Sequence, residues 1–248
     1  MYTVFSSGSC RLLKSINDGY GIISPIHSMF HNFFGINFFG KLHSTKQHIQ
    51  FIKWLNDDIQ IPNEILPLFL TSYNTNKELN GGNSFGVEKM DAIETLQNKK
   101  EIIKKNFNTC EVFIFEICSI KIFVKDNYYI QFENSTSYDT EYIQSIDELL
   151  DDLEILYNLL PKNSKVIFQT HFRPNIIYND ENKAILAREM IYNTITKFCN
   201  KHSNTIIYDP SFLLNKNSTL FDGDTHYTES GYNASFKYLY HLISGASL

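Results

Sequence analysis

The sequence predicts an α/β protein built on a doubly wound, mainly parallel sheet. Three observations predict it. Short apolar runs alternate with segments of helical period along the chain. The strongest run, Glu111 to Ile120, is almost continuously apolar, as a parallel strand covered on both faces must be. The 248 residues, 43% of them hydrophobic, are enough for one sizeable core, so a single domain spanning 1–248 is expected.

Taken in order, Tyr2 to Phe5 reads as a buried strand, and Ser6 to Ser9 as a tight turn containing Gly8. Leu12, Leu13 and Ile16 follow at helical spacing, which puts Ser9 near a helix N-terminus. Residues 17–41 read as a loop and then a helix from about Pro25. A second helix is predicted over Ser44 to Leu55, capped by Ser44 or Thr45, with a proline-bearing connector from Asp57 to Pro67. Leu70 to Val87 carries a strand signal interrupted by Asn80-Gly81-Gly82-Asn83, a turn or mobile loop. Lys89 to Phe107 reads as an amphipathic helix whose lysine pairs form a solvated face.

After the central strand, Lys121 to Phe132 either extends it or forms a hairpin turning at Asp126-Asn127. Ser137 to Leu160 reads as one helix, Lys165 to Gln169 as a buried strand and Asn182 to His202 as a long helix. Thr205 to Tyr208 is the last predicted strand, and a closing helix runs from Ser230 to Leu242, starting at Thr228 or Ser230. Right-handed crossovers bring the carboxyl ends of parallel strands to one edge of the sheet, where ligands bind in such folds. Ser9, Ser119, His171 and the loop holding Asp224 and His226 all follow strands on that edge.

The net charge of −5 argues against a nucleic-acid partner. No apolar run is long enough to span a bilayer, and no signal-peptide pattern opens the chain. A cytoplasmic setting without a membrane partner is therefore expected. Cys10, Cys110, Cys118 and Cys199 match no zinc spacing; Cys110 and Cys118 read as buried thiols.

The chemistry-bearing residues lie at the two ends. Asp222-Gly223-Asp224-Thr225-His226 places two acids just before a histidine in a turn-forming loop. A carboxylate that steadies an imidazolium makes the histidine a general base, and such a pair needs a nucleophile. Ser9 is the candidate; its other reading is a helix cap, Ser7 is the neighbour most easily confused with it, and Cys10 reads as a packing thiol. Asp222 and Asp224 are also a fragment of a cation loop, but no further ligands follow at the required spacing. His27, His31, His43 and His48 show no metal spacing, so no metal is expected. His171 and Arg173 read either as binders of an anionic or sugar substrate or as a surface pair. Glu116 is out of character in a buried strand and calls for a base or a backbone amine as partner, unless the strand is half exposed.

Gly8-Ser9-Cys10 after a short strand resembles the nucleophile block of the SGNH (GDSL-type) hydrolases, in their Gly-Ser-Cys variant. Asp224-Thr225-His226-Tyr227-Thr228-Glu229-Ser230-Gly231-Tyr232 resembles that family's final block. The resemblance spans the chain in outline, although its specific part is about twenty residues. It implies a flavodoxin-like three-layer α/β/α sandwich, with Ser9 as nucleophile, His226 as base and an orienting aspartate. It also implies an oxyanion hole from the serine N–H, a glycine N–H and an asparagine side chain, and no cofactor. The implied activity is ester hydrolysis on O-acyl (acetyl) groups of a carbohydrate, with a small-molecule or glycan ester as substrate. The alternatives are an acyltransferase on the same residues and a non-catalytic glycan-binding or structural protein that keeps the fold.

Two departures stand out. The family spaces its acid three residues before the histidine, where this chain has Gly223; Asp224 is the preferred orienting acid and Asp222 the other. The Gly-x-Asn-Asp block is absent, leaving Ser119 as a hydroxyl donor and Gly21 or Ser24 as stand-ins for the glycine. Losing one oxyanion donor typically costs roughly 3 kcal/mol.

Overall fold

The computed structural model describes residues 4–9, 11, 12, 15, 42–70, 100, 101, 103–105, 107–131, 138–173, 182–223 and 226–245. The expectations placed on 16–41 and 71–99, and those for Cys10 and Asp224, lie outside the described residues. In chain order the elements begin with β1 (Val4–Ser7), α1 (Thr45–Leu55), α2 (Leu66–Leu70) and β2 (Val112–Ile117). They continue with β3 (Lys121–Lys125), β4 (Tyr128–Ile130), β5 (Thr140–Ile143), α3 (Ile146–Asn158), β6 (Lys165–Thr170) and α4 (Asn182–Cys199). The last are β7 (Thr205–Tyr208), α5 (Ser211–Lys216), a 3-10 turn (Ser218–Leu220), β8 (Phe221–Asp222), β9 (His226–Tyr227) and α6 (Glu229–Ser244).

Four strands form an all-parallel sheet in the order β1-β2-β6-β7. Both faces carry apolar clusters. Phe5, Phe113, Phe115, Val166 and Phe168 pack with residues of α1, α3 and α4. Val4, Val112, Ile114 and Ile167 pack with Leu12 and with Phe236, Leu239 and Ile243 of α6. Helices on both faces are compatible with α/β/α layering. Leu12 belongs to the α6 face and Leu42 to the opposite one. Side-chain alternation along a strand separates the two clusters, and the continuous apolarity of β2 follows from being buried on both sides.

Local signals explain the helix starts. Ser44 and Gln47 form a capping box at α1, and Ser145 and Glu148 form another at α3. Thr228 caps α6 through the Gly231 N–H. The region from Lys121 forms a hairpin, β3-β4, turning at Asp126 and Asn127, whose φ angles of 49° and 66° suit a primed turn. The single helix predicted over Ser137 to Leu160 is instead a strand followed by a helix. β5 pairs antiparallel with β3, and the Ser145 cap starts the helix only after it. Among the described residues no helix is long and apolar enough to cross a membrane. Cys110 is buried, as expected, and burial pushes its thiol up to about 12; Cys118 is only half-buried.

Candidate active site

The carboxyl end of β1 runs directly into Gly8 and Ser9. Ser9 is 1% exposed and Glu116, near the end of β2, is fully buried. The Ser9 hydroxyl donates to Glu116 Oε2 at 2.5 Å, and the Ser9 N–H donates to the same oxygen at 2.9 Å. The Leu12 N–H approaches it at 3.4 Å, while Arg11 Nε–H donates to Oε1 at 2.8 Å. A carboxylate buried at a helix start, with backbone N–H groups and a guanidinium around it, is matched in both charge and hydrogen bonding. Ser9 Oγ in turn accepts from the Arg11 N–H at 3.2 Å, so Ser9 also caps the helical residues that follow. Gly8 allows this contact: a Cβ there would lie 2.6 Å from the Glu116 Cβ.

Ser7, just before, makes a different pair. His48 Nε2 lies 3.1 Å from the Glu116 backbone carbonyl, which only accepts, so Nε2 carries the proton. Nδ1 is then the acceptor, and the Ser7 hydroxyl donates to it at 3.1 Å. His48 is fully buried, and desolvation lowers its pKa to about 4. This histidine, neutral at pH 7, ties α1 to β1 and β2.

At the other end of the chain, His226 is exposed and occupies β9. Its partner across the β8–β9 hairpin is Asp222. Cross-strand partners hold their Cβ atoms roughly 5 Å apart, so the register sets an acid beside this imidazole. Asp224, the preferred orienting acid, lies outside the described residues. The hairpin is held against the start of α6 by a close approach at Gly231, where a Cβ would stand 1.9 Å from the Leu220 carbonyl oxygen.

The remaining expected residues fall as follows. His171 is buried at the end of β6, and its Nδ1 donates to the Phe172 carbonyl at 2.9 Å. Its pKa lies well below the usual histidine value, first through burial, then through the positive charges of Arg11 and Arg188, with His226 contributing. Arg173 bonds Glu189 at 2.6 Å, pairs with Asp209 and lies 3.8 Å from the Tyr192 ring centre. Its charge is thus matched by two carboxylates. The Ser119 hydroxyl closes a local turn, donating to the Lys121 carbonyl at 3.2 Å and accepting from the Lys121 N–H at 3.0 Å.

Glu116, Gln169 and Tyr208 stand side by side across β2, β6 and β7. The Tyr208 hydroxyl donates to Ser235 at 2.9 Å. Gln169 is fully buried, yet among the described residues neither atom of its amide has a hydrogen-bond partner, and the hydroxyl of Tyr227, 4% exposed, has none either. Burial raises the Tyr227 pKa well above its ordinary value, and the neighbouring charges of Tyr208 and Glu116 add to this while Arg11 opposes it. Tyr227 packs on Phe172, three residues after Gln169, with ring centres 5.7 Å apart. No signal in the sequence pointed to Gln169 or Tyr227; Glu116 stood out only as an acid in an apolar run. Among the described residues no cluster of three or more metal-ligating side chains occurs.

No model of a known protein family matches this chain, and no curated protein matches it.

Proposed function

We propose that the chain is a serine-dependent acyl-ester hydrolase with a flavodoxin-like α/β/α fold, resembling the SGNH hydrolases. Ser9 is the nucleophile and His226 the base. One observation carries this reading: both ends of the chain pack at the carboxyl end of β6. Glu116, which holds Ser9, pairs with Gln169 of that strand, and Tyr227, next to His226, lies against Phe172 just beyond it, with ring centres 5.7 Å apart. In the reaction Ser9 Oγ attacks the ester carbonyl carbon while its proton passes to His226. The carbonyl electron pair moves onto oxygen, then returns to expel the alcohol, which takes the proton from His226. Water, activated by the same imidazole, releases the acid from Ser9. Asp222 or Asp224 steadies the imidazolium. In the resting protein the Ser9 O–H donates to Glu116 Oε2, and substrate binding redirects it. The substrate class, an O-acyl sugar, follows from the resemblance; a sugar hydroxyl in place of water makes the same residues an acyltransferase, marked by dependence on an acyl-CoA donor.

A second reading, a non-catalytic glycan-binding or structural protein, is favoured by one feature. Ser9 is 1% exposed and gives both its N–H and its O–H to Glu116. Labelling with a fluorophosphonate separates the two. The hydrolase reading expects labelling of the wild type that disappears in Ser9→Ala and falls in His226→Ala. A folded wild type that takes no label sinks it and leaves the binding protein.

A further inference from the structure

An acyl-transfer site needs hydrogen-bond donors facing the oxygen that becomes negative in the transition state. The donors anticipated for that task are already engaged. The Ser9 N–H is given to Glu116, and the Ser119 hydroxyl to the Lys121 carbonyl. Two other donors at this end of the sheet have no partner among the described residues. The Gln169 amide sits beside Glu116 in the register of β2 and β6. The Tyr227 hydroxyl belongs to the hairpin strand that also carries His226. Both groups are buried and both lack a partner. Leaving a buried amide or phenol without a hydrogen bond forfeits its solvation with nothing in return, so native proteins rarely keep one without a use.

We infer that Gln169 Nε2–H and the Tyr227 O–H are the side-chain donors that meet the substrate's carbonyl oxygen and hold it as an oxyanion. The inference rests on the hydrolase reading and adds to it two residues absent from the family's own oxyanion set. Their chemistry fits the task. Both are neutral donors, so neither competes with Arg11 for Glu116 as a charge would. The hydrophobic partners of Tyr227, Phe172 and Tyr232, keep the phenol in an environment of low polarity, where a hydrogen bond to a developing charge is strongest. Burial also keeps the phenol protonated at neutral pH. The row Glu116–Gln169–Tyr208 then has two parts: the first member anchors the nucleophile's loop, and the second receives the substrate's oxygen.

The test uses full-length wild type, Gln169→Leu and Tyr227→Phe, with p-nitrophenyl acetate as probe, fluorophosphonate labelling of Ser9 and thermal unfolding. Each variant is expected to lose roughly 10²–10³-fold in kcat with KM little changed. Each is also expected to unfold at or above the wild-type temperature, because an unpaired buried polar group has been replaced by an apolar one of similar size. A wild type labelled at Ser9, with both variants retaining kcat, overturns the inference and leaves the hydrolase reading standing. Lower unfolding temperatures in both variants overturn it as well, since the groups would then be structural. A wild type that neither labels nor hydrolyses removes the hydrolase reading and this inference with it.

Discussion

Ser7 and Ser9 stand two residues apart at the end of β1, and both are tied to Glu116 by different routes. Ser7 reaches its backbone carbonyl through His48, and Ser9 reaches its carboxylate directly. On the His48 side the groups are neutral and matched, and Phe115 lies edge-on to the imidazole at 5.2 Å. On the Ser9 side a buried ion pair stands beside the Gln169 amide, which has no partner among the described residues. The difference teaches that a serine–histidine contact is not by itself a catalytic pair. A fully buried imidazole held on a carbonyl is fit for anchoring a helix, because taking up a proton there is costly. Incompletely matched polar groups beside a fixed charge are what a substrate can complete.

This contrast can be broken at several points. The largest expected effect is at Ser9: Ser9→Ala lowers ester hydrolysis by at least about 10³-fold, measured as kcat/KM, whereas Ser7→Ala retains it. Equal losses in the two variants would erase the distinction. Next, Glu116→Ala removes the buried carboxylate that accepts from Ser9, Arg11 Nε and Leu12, and urea unfolding should show a loss of about 3–5 kcal/mol; a loss below that of an ordinary surface change would mean the pair does not hold the loop.

His48 supplies a pH test. Its pKa is about 4 in the folded protein against an ordinary 6.5, so between those values the unfolded chain binds a proton that the folded one refuses. The stability this neutral imidazole provides is full above 6.5 and is lost as the pH falls toward 4. A gap of this size amounts to roughly 3 kcal/mol. Unfolding free energies of wild type and His48→Gln across this range should diverge, with the variant the flatter; parallel curves would show that His48 does not titrate as its burial requires. The smallest effect is Ser7→Ala on stability, about 1 kcal/mol for one neutral hydrogen bond. A change of several kcal/mol there would give the His48 pair a larger role than anchoring.

Much of the scaffold was legible because its signals are local. Ser44, one of two candidate caps, announced the start of α1, and the apolar run from Glu111 announced β2. β5 escaped because its residues are mostly exposed, so no apolar face marks it; only pairing with β3 makes it a strand. The Ser145–Glu148 box was readable and would have started α3 in the right place. The two-residue strands of the β8–β9 hairpin are too short to carry any period. Spacing favoured Asp224, which lies outside the described residues, whereas the hairpin register sets Asp222 opposite His226.

By itself the sequence determined the four parallel strands in chain order and the helices that begin near Ser44, Asn182 and Thr228, and it marked Glu116 as an acid out of character in a buried strand. These follow from hydrophobic period, caps and turn residues, all of which act over a few positions. Only the tertiary structure decided the partners. Ser9 and Arg11 meet Glu116 across separations of 107 and 105 residues, and Ser7 meets His48 across 41. It also decided that Gln169 and Tyr227 are left unmatched, since a hydrogen bond depends on positions within a few tenths of an ångström that no local pattern encodes.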